Sequence, residues 1–366
     1  MRVLLAGGGT GGHVIPAIAV AEALLLDDPM SEVLFVGAAK GIEERLVPAA
    51  GFPLELLSVG KLQGTRWISR LRTLGGLPPA LLRAIQIART FNPHVVVGVG
   101  GYASAPMALA ARTLGLPLVL LEQNAVPGAT NRVLARLAQR VVTSFVATPG
   151  LPRRRVAFLG NPLRPALVER LEAASRTYGG GHDRPSRLLI FGGSQGAHHL
   201  NEFALAVAPR LASSIPLGIE IVHQTGEADE RHAMEAYAAA GLKAHVAAFF
   251  DETMPEHYAW ADLALCRSGA TTVAELCVAG LPAILVPYPH AANDHQAANG
   301  REAIEAGGAT MIREADLDPD HLHTTLQNLL SDRLRLGQMG RAMRSCARPR
   351  AAARVVALLR EIARGD

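Results

Sequence analysis

Glycine-rich turns between an apolar run and a helix-like segment occur twice in the sequence. Val3 to Ala6 run into residues 7–12 (GGGTGG) and His13, and Leu188 to Phe191 run into residues 192–197 (GGSQGA). Such a turn lets backbone N–H groups at a helix start approach a phosphate, so both turns are candidate anion sites. A helix N-terminus also disfavours imidazolium, so His13 is a candidate general base. The alternative is a loop histidine that only hydrogen-bonds to backbone.

Polar residues follow two further strand-like runs in the first half of the chain. Residues 98–104 (GVGGYAS) end one run, and residues 122–124 (EQN) end the next. Because the carboxyl ends of parallel strands meet at one edge of a sheet, these residues are expected beside His13. Glu122 is therefore a second candidate for the base, although ordinary loop polarity would give the same pattern.

In the second half, residues 267–275 (RSGATTVAE) follow a strand-like run and open a helix. Their hydroxyl and N–H groups suit a diphosphate, and Glu275 suits a ribose diol. The alternative is a plain N-cap with a solvated glutamate. A polar cluster at residues 287–299 includes His290, Asp294 and His295, but it lacks a complete zinc ligand set, so no metal site is predicted.

Short runs rich in Val, Ile and Leu alternate with helix-length segments along the chain, which predicts an α/β protein with parallel sheets. The expected fold is two Rossmann-like doubly wound domains that face each other across a cleft. The predicted domains are residues 1–161, joined by a C-terminal helix at about 347–366, and residues 162–346. The predicted strands are 2–6, 32–36, 54–57, 94–99, 117–121, 140–143, 155–158, 187–191, 219–223, 245–249, 262–266, 282–286 and 309–312.

Composition excludes several protein classes. With 366 residues and 49% apolar side chains, the chain is long enough for two hydrophobic cores. Its three cysteines lack the close spacing of a zinc or redox motif, which favours a reducing compartment. Glycines interrupt the first apolar run, so no signal peptide is predicted. Glycines and prolines also break the uncharged residues 90–111, so no transmembrane helix is predicted.

The charge is unevenly distributed. Residues 56–168 contain fourteen Lys and Arg residues but a single acid, Glu122, which predicts contact with an anionic surface. The alternative explanation of this charge distribution is the Arg-rich composition of the whole chain. Aromatic residues make up only 4% and no nucleic-acid module is recognised, so nucleic acid is not an expected partner. A membrane-docking surface is predicted instead, although Gly75-Gly76 and Pro78-Pro79 are expected to prevent one continuous amphipathic helix. Its residues are Arg66, Trp67, Ile68, Arg70, Leu71, Arg72, Leu74, Leu77 and Arg83.

Seven motifs in order make the chain resemble a known family. It is similar to the GT-B glycosyltransferase family of bacterial N-acetylglucosaminyltransferases that convert lipid I to lipid II. The resemblance covers nearly the whole chain, and its segments are 8–13 (GGTGGH), 100–104 (GGYAS), 122–124 (EQN), 160–164 (GNPLR), 192–197 (GGSQGA), 267–270 (RSGA) with Glu275, and 294–296 (DHQ) with Asn299.

The resemblance implies that the second domain binds UDP-N-acetylglucosamine and the first binds the acceptor. The backbone near Phe250 would meet uracil, Glu275 the ribose, Ser194 and the 269–274 turn the diphosphate, and Gln296 the sugar. Arg164 and Asn124 would complete the donor site. The implied donor residues are Thr10, Gly11, Gly12, Asn124, Arg164, Ser194, Phe250, Arg267, Gly269, Ala270, Thr271, Thr272, Val273, Ala274, Glu275 and Gln296. On the acceptor side are Gly9, Gly101, Tyr102, Ser104 and Asn299.

By the same resemblance, His13 or Glu122 removes the proton from the muramyl 4-hydroxyl, which displaces UDP with inversion to form a β-1,4 bond. The resemblance implies no cofactor and no obligatory metal. It implies a peripheral location on the cytoplasmic face of the inner membrane. Cell-wall and division proteins are implied partners. Leu121 departs from the histidine often found there, which puts an acceptor contact in doubt. The alternatives are another UDP-sugar enzyme, such as a lipid glycosyltransferase or a UDP-N-acetylglucosamine 2-epimerase, a noncatalytic membrane adaptor, and a dehydrogenase.

Overall fold

The computed structural model describes residues 1–39, 41–58, 67–173, 183–193, 197–250 and 253–365, and only the backbone of residues 67–78. The chain divides into unit 1, Met1–Pro165 with Pro349–Asp366, and unit 2, Ala166–Arg348. The first boundary lies after Pro165, whereas the sequence predicts it after Asn161. The predicted residues Ser194 and Arg66 lie outside the described ranges. The same holds for the side chains of Trp67, Ile68, Arg70, Leu71, Arg72, Leu74 and Leu77.

Unit 1 contains one parallel sheet with the order β3-β2-β1-β4-β5-β6-β7. Its strands are β1 (Arg2–Gly7), β2 (Glu32–Ala38), β3 (Leu54–Leu57), β4 (Val95–Gly100), β5 (Leu118–Glu122), β6 (Arg140–Thr143) and β7 (Val156–Phe158). Its first helices are α1 (Gly11–Asp27), α2 (Glu43–Ala49), α3 (Trp67–Phe91), α4 (Ser104–Thr113) and α5 (Ala129–Leu134). Strand β1 pairs in parallel with β2 on one side and with β4 on the other. The carboxyl end of β1 therefore lies between theirs, near the middle of one edge of the sheet.

Unit 2 contains a second parallel sheet with the order β10-β9-β8-β11-β12-β13. Its strands are β8 (Ser186–Phe191), β9 (Ile219–Gln224), β10 (Lys243–Ala247), β11 (Leu263–Cys266), β12 (Ala283–Leu285) and β13 (Ala309–Met311). Its helices are α6 (Pro165–Ala173), α7 (His198–Ser214), α8 (Glu230–Ala239), α9 (Met254–Trp260), α10 (Ala270–Ala279), α11 (His295–Asn299), α12 (Arg301–Glu305), α13 (Pro319–Leu330) and α14 (Arg333–Ser345). The predicted fold class, two doubly wound α/β domains with parallel sheets, is confirmed.

The last helix, α15 (Ala351–Arg364), belongs to unit 1 although unit 2 precedes it in the sequence. Side chains alternate across β1, so Val3 and Leu5 face one layer of helices and Leu4 faces the other. Val355 and Leu359 of α15 lie in the same core cluster as Val3 and Leu5. The C-terminal helix therefore completes one face of the unit 1 core.

Helix α3 is continuous from Trp67 to Phe91, so the expectation that Gly75-Gly76 and Pro78-Pro79 would interrupt it was wrong. A proline removes its own N–H hydrogen bond and crowds the preceding turn, but its fixed φ lies in the helical region. Across the described residues, no helix combines the length and the apolar character that a membrane span requires.

Candidate active site

The first glycine turn packs directly against the turn that follows β4. The N–H of Gly8 donates to the carbonyl of Gly100 at 3.2 Å. Gly101 has φ of +80°, and a Cβ there would lie 2.2 Å from the carbonyl oxygen of Gly8. A Cβ on Gly7 would lie 2.1 Å from the carbonyl oxygen of Gly100. Only glycine permits this approach, so the two predicted turns form one surface at the centre of the sheet edge.

A buried carboxylate that the sequence reasoning missed supports the first turn. Glu43, in the first turn of α2, is 1% exposed. Its Oε2 accepts from the N–H of Gly9 and its Oε1 from the N–H of Ala38, both at 2.9 Å. A Cβ on Gly8 would lie 2.3 Å from this carboxyl group. The available signal was an acid placed shortly after the strand next to β1, but its partners are not visible in the sequence.

His13 lies in the first turn of α1, whose N-cap is Thr10. Its Nδ1 is 3.3 Å from the carbonyl oxygen of Gly8 and 3.2 Å from Oγ1 of Thr10. A carbonyl oxygen only accepts, so this contact places a proton on Nδ1, and the neutral ring would be the Nδ1–H tautomer. The lone pair then lies on Nε2, the nitrogen that approaches Gly100 and would lie 2.9 Å from a Cβ there. A lone pair on Nε2 is what a general base requires.

Some of the other residues predicted at this edge are exposed at the surface, and others are buried and hold the turns in place. Gly9, Thr10 and Gly12 are exposed, and Gly11 and Tyr102 are partly exposed. Ser104 is fully buried, and its hydroxyl donates toward the carbonyls of Ala6 at 2.7 Å and Gly100 at 2.9 Å. It also accepts from the N–H of Gly100 at 3.0 Å. The expectation that Ser104 meets the acceptor was therefore wrong, because its hydroxyl holds the second turn in place.

Glu122 also serves the backbone. Its side chain is 2% exposed, and its carboxylate accepts at 3.0 Å from the N–H groups of Asn124 and Gly128 and from Nδ2 of Asn131. A carboxylate that accepts several hydrogen bonds is stabilised in its charged form and is a weak base. These hydrogen bonds give Glu122 a backbone-supporting role, and which of the two residues acts as the base stays a prediction. Asn124, next to Glu122, is partly exposed and stays a donor-site prediction.

Arg164 lies in unit 1 and forms a two-pronged ion pair with Glu22 of α1. Its Nε and one terminal nitrogen donate to the Glu22 carboxylate, with a shortest N–O distance of 2.7 Å. In this structure its charge is met by Glu22, and the donor contact of Arg164 stays a prediction. Half of its side chain is exposed, so the pair lies at the surface of unit 1.

In unit 2, the N-terminus of α10 is the predicted diphosphate site. Gly269 is the N-cap, and the first turn contains no acidic residue. Thr271, Thr272 and Ala274 are partly exposed, whereas Ala270 and Val273 are buried against the unit. The backbone N–H groups that point out of a helix start and the helix dipole favour a phosphate. All residues of the predicted 269–274 turn therefore fall on or beside the expected surface.

Glu275 follows in the same helix, and its Oε2 accepts from the hydroxyl of Tyr258 at 2.7 Å. Burial raises the pKa of Glu275 to about 7, and the hydrogen bond from Tyr258 offsets part of that shift. The group therefore titrates near neutral pH. A partly buried carboxylate of this kind gains most from a ligand that donates hydrogen bonds to it.

Arg267 was predicted to contact the donor, but its guanidinium supports the surrounding loops. Its side chain is 9% exposed, and its terminal nitrogens lie 2.5 Å from Glu314 and 3.2 Å from the carbonyls of Val286 and Pro287. The cation also lies over the ring of Tyr288, 5.6 Å from its centroid. These contacts give Arg267 a loop-supporting role in the structure, and its donor contact stays a prediction.

Gln296 and Asn299 lie on α11 and tie the neighbouring loops together. The Gln296 Oε1 accepts from the N–H of Tyr288 at 2.9 Å, and the residue is partly exposed. Asn299 is fully buried, and its Nδ2 donates to the carbonyl of Ser268 at 3.2 Å. The prediction that Asn299 faces the acceptor was therefore wrong. Gln296 keeps the exposure that a sugar contact needs.

The backbone of Phe250 already has partners. Its N–H donates to Oε1 of Gln224 at 2.9 Å, and its carbonyl accepts from the N–H of Met254 at 3.0 Å. A uracil contact by this N–H would therefore have to displace Gln224, a residue that the sequence reasoning missed. Within the described ranges, no group of His, Cys, Asp and Glu side chains is arranged to hold a metal ion.

Known proteins match the chain over both units. Residues 3–143 match the glycosyltransferase family 28 N-terminal domain, and residues 187–355 match the corresponding C-terminal domain. A relative from Anaeromyxobacter dehalogenans is 43% identical, and the alignment covers all of this chain and 94% of the relative. A relative from Magnetococcus marinus is 44% identical over 98% of this chain and 96% of its own. Both are named UDP-N-acetylglucosamine--N-acetylmuramyl-(pentapeptide) pyrophosphoryl-undecaprenol N-acetylglucosamine transferase.

A solved structure agrees with these relatives. The crystal structure of MurG from Acinetobacter baumannii superposes with a TM-score of 0.80 at 31% identity, and the match covers 98% of this chain and 99% of the other. The chain belongs to the MurG family of glycosyltransferases. The GT-B assignment made from the sequence is thereby confirmed. In this MurG-family enzyme, the two candidate anion sites are the glycine turn of unit 1 and the start of α10 in unit 2.

Proposed function

We propose that this MurG-family enzyme transfers N-acetylglucosamine from UDP-N-acetylglucosamine to the undecaprenyl-linked acceptor lipid I and forms lipid II. The full-length similarity to relatives named for this transfer carries the proposal. Two features of the structure support it: an imidazole beside a glycine turn in unit 1, and a helix N-terminus followed by a carboxylate in unit 2.

The donor is held by unit 2 in this proposal. The first turn of α10 binds the diphosphate through its N–H groups, and the hydroxyls of Thr271 and Thr272 lie in the same turn. Glu275 accepts hydrogen bonds from the ribose hydroxyls, and Gln296 contacts the sugar. Helix N–H groups are fixed before the reaction, so they stabilise the negative charge that grows on departing UDP. The proposal therefore includes no obligatory divalent metal.

The chemical step needs a base for the acceptor hydroxyl. The muramyl 4-hydroxyl oxygen attacks the anomeric carbon of the donor, the bond from that carbon to the UDP oxygen breaks, and the configuration inverts. Nε2 of His13 takes the hydroxyl proton, and UDP leaves with the electron pair of the broken bond. Nδ1 stays bonded to the Gly8 carbonyl throughout, which fixes the ring and supports the imidazolium that forms.

Glu275→Gln is expected to weaken UDP-N-acetylglucosamine binding by about 1–3 kcal/mol near pH 8, because a neutral amide accepts weaker hydrogen bonds than a carboxylate. Wild-type affinity is expected to fall as the pH is lowered through about 7, since protonation of Glu275 removes the same charge. The variant should lose that dependence. Isothermal titration calorimetry with the intact nucleotide sugar measures this effect without the terminal phosphate of UDP, which itself titrates near pH 6.

The matched control is Glu305→Gln, which neutralises an exposed carboxylate on α12. Stability provides an independent readout. The native carboxyl of Glu275 binds its proton more tightly than the unfolded one, so its contribution to the free energy of unfolding falls as the pH rises from 4.5 to about 7 and levels off above that. The Tm of Glu275→Gln relative to wild type should therefore rise with pH. Equal affinities of Glu275→Gln and wild type for the nucleotide sugar would exclude Glu275 from the donor site. Parallel Tm profiles of the two proteins would contradict the raised pKa of Glu275.

We also propose that the enzyme docks on an anionic membrane through unit 1, where the acceptor's lipid is anchored. The basic and apolar residues 66–83 are the proposed surface, and each basic side chain near an anionic leaflet contributes about 1 kcal/mol. In the described part of α3, Leu82 is 68% exposed beside Arg83, which supports the idea. Arg83 forms an ion pair with Glu55 at 3.0 Å, so we assign Arg83 a smaller contribution to membrane binding. A peripheral location on the cytoplasmic face of the inner membrane belongs to the same proposal.

Replacing Arg66, Arg70 and Arg72 with glutamate is expected to abolish sedimentation with phosphatidylglycerol vesicles at low salt, because the change reverses six units of charge on one surface. Arg231, Arg335 and Arg341 replaced in the same way provide the control, since they change the same charge on unit 2. Vesicle binding that is equal in the two triple variants would show that overall charge, and not this surface, determines docking.

The proposed transfer is separated from the epimerase and adaptor alternatives by incubation with UDP-N-acetylglucosamine alone and with a short-chain lipid I analogue. A transferase releases UDP only when the acceptor is present. An epimerase would convert the nucleotide sugar without the acceptor. An adaptor would bind the nucleotide sugar and leave it unchanged in both reactions.

A further inference from the structure

Tyr258 lies deep in unit 2, and its hydroxyl reaches a residue on a neighbouring helix. The side chain is 1% exposed, although it comes from the short helix α9. The hydroxyl donates to Oε2 of Glu275 on α10 at 2.7 Å. A buried phenol usually finds a hydrogen-bond partner. Here the partner is the carboxylate of the proposed donor site, so Tyr258 links α9 to that site.

Two contacts fix the position of Tyr258. Its ring packs edge-on against Phe191, the last residue of β8, with 5.7 Å between the ring centroids. The start of α9 is anchored to the preceding loop, because the N–H of Met254 donates to the carbonyl of Phe250 at 3.0 Å. The hydroxyl therefore approaches Glu275 from a fixed direction and can hold the carboxylate in one orientation.

The phenol stays a donor while the carboxylate titrates. Burial raises the pKa of Tyr258 well above its usual range, and the negative charge of Glu275 adds to that shift. Burial also raises the pKa of Glu275 to about 7, whereas the hydrogen bond from Tyr258 acts in the opposite direction. The thiol of Cys266 on β11 interacts with the same carboxylate, and burial and that negative charge raise its pKa, so it stays protonated. The Tyr258 hydroxyl thus stabilises the charged form of Glu275.

We propose that Tyr258 is a positioning residue of the donor site, whose hydroxyl holds Oε2 of Glu275 and directs Oε1 toward the ribose hydroxyls of UDP-N-acetylglucosamine. This inference rests on the proposed donor role of Glu275. A carboxylate that is already held by a fixed donor loses less freedom when the ligand binds, so more of its hydrogen-bond energy contributes to affinity. Tyr258 acts through Glu275 and is not itself a ligand contact in this proposal.

The test is Tyr258→Phe, which removes the hydroxyl and keeps the buried ring. Calorimetry at pH 7 is expected to show an affinity for UDP-N-acetylglucosamine that is about three- to tenfold lower than that of the wild type. The midpoint of its pH dependence should move upward from about 7, because the charged carboxylate has lost a donor. Tyr237→Phe is the matched control. It makes the same change at another tyrosine of unit 2 that is 1% exposed, where the hydroxyl lies 2.9 Å from Nδ1 of His223. Its affinity and midpoint should equal those of the wild type.

A double-mutant cycle separates positioning from support of the fold. In Glu275→Ala there is no carboxylate to orient, so adding Tyr258→Phe should change the affinity by less than about twofold. An equal loss in both backgrounds would overturn the inference, since Tyr258 would then only support α9. Wild-type affinity and midpoint in Tyr258→Phe alone, or wild-type affinity in Glu275→Ala, would also overturn it. A wild-type protein that does not bind the nucleotide sugar would overturn the proposed function itself and this inference with it.

Because Tyr258 is buried and its replacement can impair folding, the wild-type chain provides a second measurement. Its five tyrosines are replaced by fluorotyrosine, and fluorine NMR spectra are recorded as a function of pH. One resonance should titrate with Glu275 near pH 7, and it should titrate at lower pH when UDP-N-acetylglucosamine saturates the protein. That titration should be lost in Glu275→Gln. A set of tyrosine resonances in which none follows Glu275 would contradict the proposed hydrogen bond and overturn the inference.

Discussion

His13→Ala is expected to lower kcat by about 10²–10⁴-fold while the affinity for UDP-N-acetylglucosamine stays within about twofold of wild type. The reason is the separation of roles in the structure. His13 lies in unit 1 with Nδ1 on the Gly8 carbonyl, and the proposed donor residues lie on α10 and α11 of unit 2. Steady-state kinetics with a lipid I analogue and calorimetry with the donor measure the two effects separately.

His13→Asn is the matched variant, because the Asn side-chain amide can keep the hydrogen bond to Gly8 but cannot take a proton at the position of Nε2. Base catalysis predicts that the Asn variant is as slow as the Ala variant and that added imidazole restores part of the activity of Ala. Near-normal kcat in His13→Asn would instead assign His13 a purely structural role. Glu122→Gln should lose stability and keep the acid limb of the pH profile of kcat/KM, since His13 is still present.

Glu43→Ala is expected to lower the free energy of unfolding by about 3–6 kcal/mol and to reduce kcat. The change removes two buried hydrogen bonds to a charged group, each of about 1.5–3 kcal/mol, and leaves the N–H groups of Gly9 and Ala38 without that acceptor. Gly9 immediately precedes the N-cap of α1. Loss of the hydrogen bond from Gly9 to Glu43 should therefore also displace the turn that contains His13. Urea unfolding followed by circular dichroism gives the stability change.

Glu44→Ala is the control for this prediction, since Glu44 is the exposed neighbour on the same helix. Glu43→Gln should lie between the two, because one of its acceptor oxygens becomes an amide group that faces an N–H donor. If Glu43→Ala were as stable and as active as Glu44→Ala, the buried carboxylate would have no part in holding the glycine turn.

The fold was largely predictable because its signals are local. All thirteen predicted strands are present, since strands buried on both faces read as short apolar runs. The poorest boundary is β10, predicted at 245–249 and found at Lys243–Ala247. This strand lies at the edge of its sheet, where Lys243 and His245 are exposed and the apolar pattern fades. The ends of such an edge strand depend on how it packs within its sheet, and the apolar periodicity of the sequence does not show them.

The site was predictable in position but less so in role. The glycine turns, His13, the start of α10 and Glu275 were identifiable because strand ends and helix starts are local features. Ligand contacts were predicted for Ser104, Arg267 and Asn299, and a base role for Glu122. In the structure, their polar atoms bond to nearby backbone or to another buried side chain. Glu43 was missed for the same reason, since its partner Gly9 is thirty-four residues away. Polar residue type indicates that hydrogen bonds will form, but only the fold determines with what.

The most direct measurement incubates the purified enzyme with radiolabelled UDP-N-acetylglucosamine and a short-chain lipid I analogue, with a metal chelator present, and counts the label in the lipid product. The account predicts label in the product of the wild type, a β-1,4 linkage in its NMR spectrum, and a large loss of label with His13→Ala. Absence of labelled lipid, while the same protein binds the nucleotide sugar, would contradict the proposed acceptor. Label that appears only after a divalent metal is restored would contradict the metal-independent mechanism.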